Sequence, residues 1–192
     1  MRSLISIPII HAQADLGSIA DALKKVYLQA HGDQSWKLHS KKVETFWRSL
    51  EKQLEGLALD WPRVRIYQDG LPVCGKEREI VESAAREGSP NYQLILKLVG
   101  KGALLTGTED PVLLVEEYRS IQQLKNKWKA NVKAELSVEE SEYRRRLLEK
   151  RDAFISRRID STLLPGETGL LFIGAGHSPE KHLPASVRVQ RL

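Results

Sequence analysis

Four short apolar runs punctuate the chain, and each leads into an ionisable side chain. Leu4–Ile10 runs into His11, Val64–Gln68 into Asp69-Gly70, Ala103–Thr106 into Gly107-Thr108-Glu109-Asp110, and Leu170–Ile173 into Gly174-Ala175-Gly176-His177. Short runs that are apolar on both faces and carry β-branched residues predict buried strands of a parallel sheet. Between them the apolar positions fall at helical spacing. Ile19, Leu23, Val26 and Ala30 predict a helix over Ile19–Ala30 that stops at Gly32, and Val43, Phe46, Trp47, Leu50 and Leu54 predict a second over Lys41–Leu57. Asp60-Trp61-Pro62 breaks the second. Lys76–Arg86, Pro90–Val99 and Leu113–Lys125 predict three more, and the less regular Trp128–Leu136 is also read as helical. Ser89-Pro90 and Thr108 to Pro111 are helix starts, and Ser137-Val138-Glu139-Glu140 is a capping box opening a helix to about Ile159. Val187–Val189 predicts a short edge strand.

This alternation predicts the α/β class, with a mainly parallel central sheet flanked by helices in strand–helix–helix repeats, over residues 1–192 as a single domain. Parallel strands bring their C-terminal ends to one edge, which is where open α/β folds place ligand sites.

Composition narrows the class. Hydrophobic residues make up 41% and charged residues 29%, which excludes wholesale disorder and an integral membrane protein. No signal peptide is read at the N-terminus, and the single cysteine, Cys74, excludes an intramolecular disulfide; a reducing, cytoplasmic location is the expectation. The net charge of +5 is uneven: Arg119–Arg158 holds twelve Lys and Arg against six Asp and Glu, leaving eighteen against nineteen elsewhere. A local excess of that kind attracts polyanions, although mixed charges at helical spacing ordinarily mark a solvated face.

The predicted helix from Val138 carries an anomaly. Its apolar stripe runs through Leu147, Leu148, Phe154, Ile155 and Ile159, yet the same stripe passes through Arg151 and Asp152. Charged side chains within a buried stripe either snorkel outward or pair in a polar site. Gly174-Ala175-Gly176-His177 follows an apolar strand, where glycines let the backbone approach a ligand and a histidine serves as acid, base or metal ligand. Pro179 and Pro184 leave no room for the helix a dinucleotide fingerprint requires. His11 and Asp69, at the ends of the first two strands, read as base or ligand, or as a structural histidine and turn chemistry. Glu109 and Asp110 stand at a helix N-terminus, where capping accounts for a carboxylate without catalysis. Cys74 reads as a buried, inert thiol or a nucleophile paired with histidine, and His31, His39 and His182 read as solvated. No phosphate-binding loop, nucleophile elbow or short-range zinc motif is present.

Arg151-Asp152-Ala153-Phe154-Ile155, followed by a strand ending in Gly174-Ala175-Gly176-His177, resembles the TraB/PrgY, Tiki, ChaN and erythromycin-esterase superfamily. That group is similar in placing an Arg-Asn or Arg-Asp pair on a helix before a strand that ends in Gly-x-x-His or Gly-x-Gly-His. A histidine close after its first strand and an acidic residue after its second correspond here to His11 and Asp69. The likeness covers roughly the last forty residues and a few N-terminal ones. Pro8 stands where the first motif has glycine, and Asp69 where glutamate is usual. The resemblance implies an α/β core with one pocket at the strand ends, and ester or peptide hydrolysis, sometimes with metal, or haem binding.

The expectation is therefore a hydrolase-like protein acting on a small-molecule or peptide substrate. His11, Asp69, Arg151, Asp152 and His177 would form the catalytic set. Gly174 and Gly176 would line a cofactor position, and His11, Asp69 and His177 would be ligands if a divalent metal takes part. Arg151 would stabilise developing negative charge and Asp152 would orient Arg151 or His177. The alternatives are a non-enzymatic ligand-binding or regulatory domain on the same fold, and nucleic-acid binding through residues 119–158.

Overall fold

The computed structural model describes residues 1–10, 12, 20–130 and 136–192. Five strands, β1 (Arg2–Ile9), β2 (Val64–Gln68), β3 (Leu104–Thr106), β4 (Thr168–Gly174) and β5 (Val187–Arg191), form one sheet in the order β3-β2-β4-β1-β5. Every pairing is parallel, so the α/β class expected from the apolar runs is the class observed. The described helices are α1 (Ala20–Glu55), α2 (Glu77–Arg86), α3 (Pro90–Gly100), α4 (Pro111–Ala130) and α5 (Val138–Thr162).

Side-chain alternation along the strands sorts the core into two clusters, one on each face. Leu170 and Phe172 of β4 join Ile7, Ile9, Val64 and Ile66 against α1, α2 and α3, through Trp47, Leu54, Val81 and Ile95. Leu171 and Ile173 join Leu4, Tyr67 and Val187 against α5, through Ile155 and Ile159. The Tyr67 hydroxyl meets Thr162 Oγ1 at 2.8 Å, and burial pushes its pKa up to about 12. The Arg65 guanidinium grips Glu167 with two bonds of 3.0 and 2.9 Å, tying β2 to the turn that launches β4.

The caps fall where the sequence places them. Ser89 Oγ accepts from the Tyr92 N–H, the Val112 N–H donates to Asp110 Oδ1, and Ser137 and Glu140 form the reciprocal capping box. The α1 region differs from expectation. Instead of two helices separated by a loop over 31–40, helix resumes immediately after Gly32, whose φ of 78° reverses the chain. The rings of Tyr27 and His39 lie 5.4 Å apart, whereas twelve residues of straight helix would separate them by about 18 Å. Tyr27 also packs on His31 and Trp36, so His31, which is exposed as expected, and the half-buried His39 belong to an aromatic cluster on helical segments rather than to a loop. The segment 131–135, within the stretch predicted helical up to Leu136, lies outside the described residues. No described helix is long and apolar enough to cross a membrane.

Gly169 sits where β4 passes beneath α5. A Cβ there would lie 2.6 Å from Leu4 Cδ1 and 3.2 Å from Tyr67 Cε2. Gly169→Ala is therefore expected to destabilise the fold by about 1–3 kcal/mol through overpacking, read as a lowered midpoint in chemical denaturation.

Candidate functional site

The strand order sends β1 to β2 across the position later filled by β4. The segments that follow β2, β3 and β4 therefore meet above adjacent strand ends. Asp69 comes from the first, Glu109 from the second and His177 from the third, and one ligand atom of each lies within 4.8 Å of the others. Helix α5 supplies Arg151 and Asp152 from the other side, both buried on the stripe that the apolar pattern shares with them.

Arg151 is the centre of the arrangement. Its Nε and Nη2 grip Glu109 at 2.7 and 2.6 Å, Nη2 also reaches Asp69 Oδ1 at 3.1 Å, and Nη1 meets Glu117 of α4. Backbone donors complete both carboxylates. The Gly70 N–H donates to Glu109 Oε1 and the Gly174 N–H to Asp69 Oδ2, each at 2.9 Å. Burial pushes the Glu109 carboxyl up, Arg151 pulls it back only in part, and the neighbouring Asp69 adds to the rise. Burial works against the Arg151 charge as well. The hydrogen bonds and attraction of Glu109, with Glu117 and Asp69 behind it, outweigh that and hold the guanidinium charged above its usual range.

Asp152 performs a separate task. Its Oδ1 lies 2.5 Å from His177 Nδ1, and its Oδ2 accepts from the Ser178 N–H at 2.8 Å. A carboxylate at that position fixes the proton on Nδ1 and leaves Nε2 as the accepting nitrogen. Nε2 points toward Asp69 Oδ1 at 3.7 Å. Burial disfavours the imidazolium, but the hydrogen bond His177 donates to Asp152 and the charge of Asp69 outweigh both burial and Arg151. The His177 pKa stands above its ordinary 6.5. His177 is also among the residues lining a cleft of about 250 Å³ that opens between the upper halves of β1 and β5 and the loop after β4.

Of the residues singled out by sequence, Asp69, Arg151, Asp152 and His177 thus come together, and Asp152 meets His177. His11 lies outside the described residues. Gly174 spends its N–H on Asp69 and accepts from the His177 N–H, closing the turn. Gly176 has open space where a Cβ would stand. Cys74 is exposed, not buried. Two acidic residues escaped the sequence-level set. Glu109 was accounted for as a helix-start carboxylate, but Asp110 does that capping while Glu109 turns inward. Glu117 sits two turns into α4, with nothing in its local pattern to separate it from a solvated glutamate. The Gly-Thr-Glu-Asp sequence directly after β3 was the available signal.

The donor types suit a hard divalent cation, yet the lone pairs are largely committed. Glu109 Oε1 accepts from both Arg151 and Gly70, Oε2 accepts from Arg151, and each Asp69 oxygen already has a donor. The Arg151 guanidinium already supplies positive charge to this cluster, and a divalent ion there would share Asp69 and Glu109 with it. Several cations of the basic stretch 119–158 have partners among the described residues. Arg145 and Arg146 meet Glu142, Lys127 meets Glu140, and Arg158 donates to the Gly107 carbonyl.

Comparisons with family models, with curated proteins and with solved structures found no match to this chain.

Arg151→Met would strand three carboxylates around a missing charge. The expected loss of stability is about 3–5 kcal/mol. The sign of its pH dependence follows from Glu109, whose raised folded pKa means that stability is fully present below the unfolded value and falls as pH rises through the folded one. Denaturation of the variant is therefore expected to show partial recovery on mild acidification, as the stranded carboxyls take up protons.

Proposed function

We propose that this protein is a hydrolase of the kind its C-terminal motifs resemble, cleaving an ester or amide bond with His177 as general base. The observation that carries the reading is the buried imidazole itself: it is anchored at Nδ1 by Asp152, its other nitrogen faces Asp69, and His177 belongs to the lining of an open cleft. In this reading His177 Nε2 takes a proton from a water molecule as the oxygen attacks the carbonyl carbon, and returns it to the leaving group as the tetrahedral intermediate collapses. Asp152 is a positioning residue that holds the ring and stabilises the transient imidazolium. Asp69 steadies the same cation from the other side. Arg151 acts through the carboxylates it clamps, because its Nε, Nη1 and Nη2 are all engaged by Glu109, Asp69 and Glu117. This replaces the role of charge stabiliser that its sequence position suggested.

A pocket that binds a ligand without turnover is the second reading. The oriented imidazole favours hydrolysis, since mere binding does not require a fixed tautomer beside a carboxylate. A metal-assisted variant rests on the proximity of Asp69, Glu109 and His177. It is the weaker form because those carboxylates already hold Arg151. Dialysis against a chelator is expected to leave turnover unchanged; loss of activity that Mn²⁺ restores would reverse that ranking.

The test is hydrolysis of para-nitrophenyl acetate. His177→Asn is expected to abolish turnover above the uncatalysed rate while leaving the thermal midpoint nearly unchanged, and a collapse in stability without a change in rate constant would refute the reading. Because the base must be unprotonated and its pKa is raised, the rate is expected to climb with pH through an inflection above 6.5. Asp152→Asn is expected to lower kcat by about a hundredfold or more and to move that inflection downward.

A further inference from the structure

Ser6 interrupts an otherwise apolar row. On β1 the residues directed to the α5 side are Leu4, Ser6 and Pro8; Leu4 fills the second core cluster, whereas Ser6 and Pro8 face the cleft beside His177. The Ser6 hydroxyl bonds to no described residue, although the side chain is buried. Two opposite charges line the same cleft. Arg191 ends β5, and Glu180 lies on the short turn 179–182. Neither forms an ion pair with any described residue, although each has the opposite charge in the same cleft. Val189 adds an apolar surface to the lining. The enclosed volume, about 250 Å³, is below that of pockets for drug-sized molecules.

We infer that this cleft is a binding site for a small zwitterion of the amino-acid class. Its carboxylate is taken by Arg191, its ammonium by Glu180, and its apolar side chain lies on Pro8 and Val189, with Ser6 as a further hydrogen-bonding group. A dicarboxylate or a diamine would leave one wall facing a like charge, and a neutral hydrocarbon would leave both charges and the serine without partners. The inference deepens the hydrolytic reading by naming what the site holds beside its imidazole, and rests on that reading only for the fate of the ligand once bound.

The measurement is titration of the His177 imidazole resonance by NMR, assigned with His177→Asn, in the full chain. The probes are L-leucine, isocaproate, which lacks the ammonium, and isoamylamine, which lacks the carboxylate. L-leucine is expected to give a saturable shift and to bind about tenfold more tightly than either of the others. Arg191→Ala is expected to erase its advantage over isoamylamine, and Glu180→Gln its advantage over isocaproate; both side chains are exposed, so the fold should not suffer. No saturable shift with L-leucine, equal affinity for the three probes, or affinities indifferent to both substitutions would overturn the inference. The outcome is separable from the ester assay. Leucine binding without ester turnover upholds the site and defeats the hydrolase, and turnover without leucine binding does the reverse.

Discussion

The arrangement at the sheet edge depends on a single guanidinium. Three carboxylates, from the ends of β2 and β3 and from α4, converge on Arg151, and without a buried positive charge among them their mutual repulsion would keep those segments apart. Only an arginine offers enough planar, divergent donors to hold Glu109 with two bonds while reaching Asp69 and Glu117. The ion cluster is therefore also a mechanical joint. It fixes α5 against two strand ends, and α5 in turn carries the residue that positions His177.

That division of labour separates structure from chemistry within a few ångströms. Arg151 and Asp152 are neighbours in sequence, yet one serves the carboxylates and the other the imidazole. Asp69 is shared between them, receiving Arg151 and the Gly174 N–H while facing Nε2 of His177. Burial and the nearby cation lower the proton affinity of this imidazole, and the two anions more than offset them.

The fold was legible because the central strands are short runs apolar on both faces, and the caps at Ser89, Asp110 and Ser137 are local signals that no tertiary contact overrode. Arg151 and Asp152 were legible as a contradiction in an amphipathic stripe, and their partners as side chains at strand ends. Glu109 was hidden by ambiguity, since a carboxylate beside a helix start satisfies a local rule whether or not it also turns inward. Glu117 was invisible because its significance is purely three-dimensional. The hairpin in α1 escaped for a related reason: the residues 31–40 are polar enough to read as loop, whereas helix continues on both sides of Gly32 and the ring contacts of Tyr27 with Trp36 and His39 show the chain folding back there.

One feature of the topology reaches beyond the folded state. The sheet's middle strand, β4, is nearly its last in chain order, lying between β2 and β1 while only β5 follows it. Until Thr168–Gly174 has left the ribosome, β1 has no strand beside it and β2 pairs with β3 alone. A growing chain thus carries two unjoined fragments with bare edges, and a late insertion closes them and delivers His177 to its partners in the same event. Such long-range closure makes folding slow and leaves the nascent fragments in need of shielding, while ensuring that no partly made molecule possesses a finished site.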